Sequence, residues 1–194
     1  MAPDIPVLDP NCERPEAIGR GTEHPSLLPR IGHLLVERTF IFTDLSGFTS
    51  FTERYGAHRA AALLAEFRSV TRDIAAKRGV RVAKWLGDGS MLVGVEATPA
   101  IALGAHLISH FRDTDVRVRV GITTGIALLF EGDDYIGQPV NLAAKLCSLA
   151  QPGEMLADCA TEGLPDWVHS IGEVTMHVRG MGDVPGILRL QPAA

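Results

Sequence analysis

The chain has few cysteines, no basic block and no long apolar run, and each shortage closes off a class of function. Its three cysteines, Cys12, Cys147 and Cys159, are odd in number and lack the paired spacing of a zinc site. They read as reduced thiols, which excludes a disulfide scaffold. No apolar stretch is long enough to cross a bilayer, and the N-terminus lacks the basic-then-apolar order of a secretory signal. Neither half carries a run of Lys and Arg. With a net charge of -5 and a pI near 5.8, the chain is a poor match for broad nucleic-acid or anionic-membrane binding. The expectation is a cytoplasmic protein with no nucleic-acid partner and no membrane insertion, whose phosphate contacts, if any, are local. No internal repeat is evident.

What is present is enough for one hydrophobic core. The chain has 194 residues, a mass of 20.8 kDa and 46% hydrophobic residues, too little for two ordinary domains. Half of the twelve prolines fall in the first 30 residues, among Asp, Glu and Gly without a sustained period, so residues 1–36 read as a poorly ordered leader and 37–192 as the domain. Thr39-Phe40-Ile41-Phe42-Thr43 reads as a strand buried on both faces. Ala60, Leu63, Leu64, Phe67, Val70 and Ile74 have helical spacing, with Gly79 as the stop. Two alternating runs, Val80 to Leu86 and Ser90 to Val95, flank Gly87-Asp88-Gly89 as a hairpin. Thr98-Pro99 then predicts the cap and first position of a second amphipathic helix. Val116 to Ile122, alternating with Arg117 and Arg119, predicts a half-buried strand that leads into a second apolar stretch, Ile126 to Phe130. Gly137 to Ala150 is again helical, and the C-terminal part reads as shorter strands. The order strand, helix, hairpin, helix, strand predicts an α+β fold, ferredoxin-like (βαββαβ), with an antiparallel-rich sheet and helices on one face.

Two carboxylates stand where such a fold brings them together. Asp44 ends the first strand and Asp88 sits in the hairpin turn, so both converge on one edge of the sheet, where two hard cations roughly 3.5 to 4 Å apart would grip a polyphosphate. Strand alternation predicts that Lys84 shares a face with Val80, Val82 and Leu86, where an ammonium must find a partner or snorkel to solvent. Asn141 and Lys145 are one helical turn apart, with Asp134 in the loop before them. Read singly, these are an acidic turn and surface polar groups. Together they offer an acceptor for an exocyclic amine, an amide for a sugar and a cation for a phosphate.

The runs FIFTDLSGFTSFTE, KWLGDGSMLVG and VRVGITTG followed by DYIGQPVNLAAKL resemble the catalytic domain of the class III nucleotidyl cyclases, the adenylyl and guanylyl cyclase family. The likeness spans about residues 37 to 192. It implies that Asp44 and Asp88 hold two Mg²⁺ or Mn²⁺ ions and that Lys84 and Asp134 select the base in the ATP-type combination. It further implies that Asn141 orients the ribose and that Arg179 takes the place of a basic residue on the terminal phosphates. Gly47 and Phe48, where the chain turns from strand to helix, supply backbone N–H groups suited to phosphate. The family's arginine four residues after the asparagine is Lys145 here, which keeps the charge and loses the planar bidentate contact. The resemblance therefore implies an adenylyl cyclase that forms 3',5'-cyclic AMP and pyrophosphate from ATP in a head-to-tail homodimer with shared active sites. The alternative is a catalytically weak, nucleotide-binding and dimerising signalling module. A diguanylate cyclase is disfavoured, because the hairpin carries LGDGS in place of that family's Gly-Gly-Asp/Glu-Glu-Phe signature.

Overall fold

A computed structural model describes residues 34–159 and 164–193. Of the stretch expected to be a leader, residues 1–33 lie outside the described residues, and strand β1 (Leu34–Ser46) begins within its last three positions. There follow α1 (Phe48–Tyr55), α2 (Ala57–Lys77), β2 (Arg81–Leu86), β3 (Gly89–Gly94), α3 (Ala97–His110) and β4 (Arg117–Phe130). A short β5 (Asp134–Ile136), α4 (Gln138–Leu149), β6 (Met155–Asp158), β7 (Val168–Val178) and β8 (Gly182–Pro192) complete the order. The sheet has eight strands, ordered β2-β3-β1-β4-β6-β8-β7, with β5 folded back on β4. β4 and β6 pair in parallel, and the other pairs are antiparallel.

The expected ferredoxin-like core is the β2-β3-β1-β4 half of this sheet, with α2 and α3 on one face. Beneath those helices Ile41, Leu45, Leu92, Val118, Val120 and Ile122 form a continuous layer with Phe67, Ile101, Leu107 and Phe111. Each fully buried side chain of this size contributes roughly 1.5 to 3 kcal/mol over its exposed state. The alternate residues point the other way, so Phe40, Met91 and Ala127 meet Ala143 of α4, while Leu142 and Leu146 of α4 meet Leu156 and Ile187. α4 thus lies outside the βαββαβ core and covers the opposite face. It sits on bare backbone: a Cβ at Gly121 of β4 would stand 2.1 Å from the Ala143 carbonyl oxygen and 2.2 Å from the Cys147 amide nitrogen.

Local signals explain most boundaries. α2 ends at Arg78 and Gly79, the latter at φ +64°, a left-handed conformation that glycine adopts without strain. α3 begins two residues earlier than Thr98-Pro99 predicted, with Glu96 at the cap and Ala97 as the first helical residue. Pro99 then falls within the first turn, where its missing N–H costs no helical hydrogen bond. No described helix is long and apolar enough to cross a membrane.

Candidate active site

Asp44 is placed by the sheet register. It lies opposite Gly89 on β3 and opposite Arg119 on β4, on the face covered by α4. The approach to β3 is close, since a Cβ at Gly89 would stand 2.4 Å from the Thr43 carbonyl oxygen, so Gly89 keeps the hairpin turn tight against the end of β1. Arg119 Nε donates to Asp44 Oδ2 at 2.7 Å, and the two side chains are 30% and 28% exposed. The guanidinium also donates from Nη1 to the Ser148 carbonyl in the last turn of α4, at 3.2 Å.

Asp88 stands in the turn between β2 and β3, close enough to Asp44 and Arg119 to feel both. Burial, first of all, raises its pKa above the ordinary carboxylate value; the neighbouring Asp44 adds to the rise, while its own backbone N–H and Arg119 oppose it. Two carboxylates that repel each other, partly withdrawn from water, with one arginine bonded to Asp44 to offset their charge, suit a hard divalent cation. Among the described residues no cluster of three or more His, Cys, Asp or Glu forms a metal cage. Two carboxylates alone match Mg²⁺, which keeps several waters and takes its remaining ligands from substrate phosphates. Asp44 and Asp88 therefore fit the ions expected of them.

At the other end of this face, Lys84 Nζ lies 2.6 Å from Asp134 Oδ2, with side chains 44% and 40% exposed. Asp134 Oδ1 accepts from the Tyr135 N–H at 2.8 Å. The bond from Lys84 foremost, and then that from Tyr135, holds the Asp134 pKa below its usual range. The predicted facing of Lys84 is corrected here. Pairing runs Val82 with Leu92 and then Lys84 with Met91, leaving Ala83 as an extra residue, and such a bulge reverses the alternation that follows it. Val82 and Trp85 face α2 and α3, whereas Lys84 shares the Met91 face with Asp134. Tyr135 fixes the β4–β5 hairpin by packing edge-on against Phe40, with ring centroids 5.3 Å apart.

Asn141 and Lys145 stand one turn apart on the outer side of α4, Asn141 exposed and Lys145 half-buried; neither side chain is hydrogen-bonded or ion-paired among the described residues. Arg179 is exposed in the turn between β7 and β8. β7 is four strands from β1, about 19 Å at ~4.8 Å per strand, so within one chain Arg179 does not join the aspartates. Gly47 caps α1 at φ +90° and ψ +4°, and Phe48 opens that helix with its ring against the main core. The N–H groups of Gly47 and the first turn of α1, which have no partner within the helix, thus lie three to six residues beyond Asp44.

The chain matches the model of the adenylate and guanylate cyclase catalytic domain over residues 36–185. It belongs to that family. A pH-sensitive adenylate cyclase of Mycobacterium tuberculosis is 35% identical over 132 residues, 66% of this chain and 32% of that protein. The chain spans about a third of the length of the curated relatives it matches. Among solved structures, the adenylyl cyclase CyaB of P. aeruginosa superposes with a TM-score of 0.69 at 25% identity, covering 84% of this chain and 96% of that one. The guanylyl cyclase Cya2 superposes with a TM-score of 0.72 at 21% identity over the same shares, a likeness of fold.

In this cyclase domain the sequence pattern concealed Arg119. Alternation with Val118 and Val120 reads as a solvated charge on a half-buried strand, and only the β1–β4 register sets it against Asp44. The signal lay in its company, since Arg117 and Arg119 precede the strand's most tightly packed segment. The cavity of about 390 Å³ lined by Arg112, Arg117 and His169 does not include the aspartates.

Proposed function

We propose that this cyclase domain is an adenylyl cyclase, converting ATP to 3',5'-cyclic AMP and pyrophosphate at sites shared by two head-to-tail copies. The observation that carries the choice of base is the 2.6 Å contact between Lys84 and Asp134. It presets a donor beside an acceptor. Lys84 donates to adenine N1 and Asp134 accepts from the 6-amino group, whereas guanine presents a donor to the lysine and a carbonyl to the carboxylate. The mismatched polar groups left unpaired are what reject the wrong base.

The remaining residues divide between copies. Asp44 and Asp88 of one copy are the ligands for two Mg²⁺ or Mn²⁺ ions. Bound there, such ions supply Lewis acidity toward the ribose 3'-hydroxyl and the polyphosphate. Arg119, beside Asp44, and the N–H groups at Gly47 and Phe48 hold phosphate oxygens. From the other copy come Lys84 and Asp134 on the base, Asn141 on the ribose, and Lys145 on the charge that develops at the α-phosphate. Arg179 approaches the terminal phosphates. With the sugar so oriented, the 3'-oxygen attacks the α-phosphorus in line and pyrophosphate leaves. Two features support the pairing of copies. Asn141 and Lys145 face away from their own sheet, and Leu34, Leu35, Ile126 and Ile136 form exposed apolar surface on β1, β4 and β5.

Lys145 also supports a second reading, a nucleotide-binding and dimerising module with little turnover, because an ammonium offers less to a phosphate than a guanidinium does. The test incubates the chain with ATP and Mn²⁺ and measures cyclic AMP and pyrophosphate, then mixes Asp44→Ala with Lys84→Ala. Each variant alone should be inactive, and the mixture should recover partial activity, because one of its two sites is built from undamaged halves. ATP bound without product supports the second reading. No recovery in verified mixed dimers rejects the shared site.

A further inference from the structure

The turn that carries Asp88 is held from behind by α2. Arg68 Nη2 donates to the Gly87 carbonyl at 3.2 Å, and its guanidinium carbon lies 5.2 Å from the centre of the Trp85 ring. Arg72, one helical turn further, stacks on the same ring at 5.0 Å. Trp85 itself meets Phe67 of the core edge-on, with centroids 6.4 Å apart, so the indole is a fixed platform. Arg68 Nε is buried and has no hydrogen-bond partner. Burying a guanidinium N–H without a partner is unfavourable, so other contacts set its position, and those on the page are the Trp85 ring and the Gly87 carbonyl.

The Gly87 carbonyl and the Asp88 N–H belong to one planar peptide unit. The Cα of Asp88 lies in that same plane, so the orientation of this peptide sets the direction in which the Asp88 side chain leaves the backbone. Gly87 is at φ +65° and has no side chain to hinder rotation of the peptide. On the far side, the backbone contact of Gly89 with Thr43 fixes the exit of the turn. The entry is fixed by Arg68.

We propose that Arg68 is a positioning residue for the metal site: by holding the Gly87 carbonyl against the Trp85 platform, it locks the peptide plane that aims the Asp88 carboxylate. The inference rests on the reading of Asp88 as a metal ligand. Its action is indirect, since Arg68 faces the α2 side of the turn and meets neither ion nor nucleotide.

The test measures Mn²⁺ binding to the purified full chain without nucleotide, by the loss of the free-ion paramagnetic resonance signal, alongside thermal melting. Arg68→Ala should weaken Mn²⁺ binding about tenfold, within the range for residues that orient a metal ligand, while Arg68→Lys, which still reaches the carbonyl, restores most of it. Arg72→Ala, which loses only a stacking contact, should shift Mn²⁺ affinity less than about twofold while lowering the melting temperature comparably. In turnover, Arg68→Ala should raise the Mn²⁺ concentration at half-maximal rate and leave the KM for ATP at saturating Mn²⁺ unchanged. Equal Mn²⁺ affinity in Arg68→Ala and Arg72→Ala, with Asp88→Ala clearly weakened, overturns the positioning role alone. Should Asp88→Ala bind Mn²⁺ as the unsubstituted chain does, or should that chain bind none, the metal assignment fails and the inference with it.

Discussion

The two ends of the candidate site are held by different means. At the aspartate end, position is a property of the backbone: Asp44 sits at a fixed register between Gly89 and Arg119, and no side-chain rearrangement short of slipping a strand moves it. At the base end, position is a property of side chains, with Lys84 and Asp134 meeting across 2.6 Å from two separate hairpins while each stays about two-fifths exposed. The first arrangement suits groups that must share highly charged ligands at fixed spacing. The second suits recognition, because an exposed pair can be exchanged for another without disturbing the core.

The sharpest way to break this contrast is at Asp44. Asp44→Ala and Lys84→Ala should each lose turnover, Asp44→Ala by at least about 10³-fold, but only Asp44→Ala should also lose Mn²⁺ binding; equal loss of Mn²⁺ binding in both would erase the distinction. Backbone dependence is tested next at Gly121, where the added methyl of Gly121→Ala has no room beneath α4. It should destabilise the domain by about 3 kcal/mol, read from chemical denaturation. Exchangeability at the base end is tested by Lys84→Glu with Asp134→Cys, which should reduce the preference for ATP over GTP by at least about 10²-fold without lowering the melting temperature. Retained ATP selectivity in that variant refutes the base assignment. A smaller gain is expected from Lys145→Arg, about tenfold in kcat through restored bidentate contact, with no change in stability.

The smallest effect is one of pH. Lys84 foremost, then the Tyr135 N–H, holds the Asp134 pKa below 3.8. The folded state therefore binds that proton less readily than the unfolded one, and the contribution is full above about pH 4 and fades as pH falls through the lowered value. Because the pair is exposed, its contribution should stay below about 1 kcal/mol. The stability gap between the unsubstituted chain and Asp134→Asn should close on acidification from pH 6 to pH 3, and a gap that widens would reverse the sign.

Much of the fold is legible in the sequence because its strongest elements carry unambiguous periods. α2 and α3 repeat their apolar positions at helical spacing and stop at recognisable signals, and β1 is apolar on both sides because helices cover both faces. Other features depend on distant partners. β5 is three residues inside a loop that reads as polar, and it exists because β4 is there to pair with. β7 and β8 run longer than their apolar stretches predict, since exposed polar residues such as Glu173 and His177 extend the ladder without a hydrophobic signature. In the candidate site, Asp44 and Asp88 are legible from strand ends and turns, whereas the facing of Lys84 and the partnership of Arg119 are set by register, which one strand alone does not encode.

The extra residue at Ala83 has a consequence for how such a domain can change over time. Between Val82 and Lys84 the strand has a reading frame, as a gene has. Loss of one amino acid there would leave the strand's length and composition almost untouched, yet it would send Trp85 toward the face that now carries Lys84 and turn the lysine's ammonium into the hydrocarbon layer beneath α2. Substitution can tune the chemistry of this segment by degrees, whereas a single deletion inverts it.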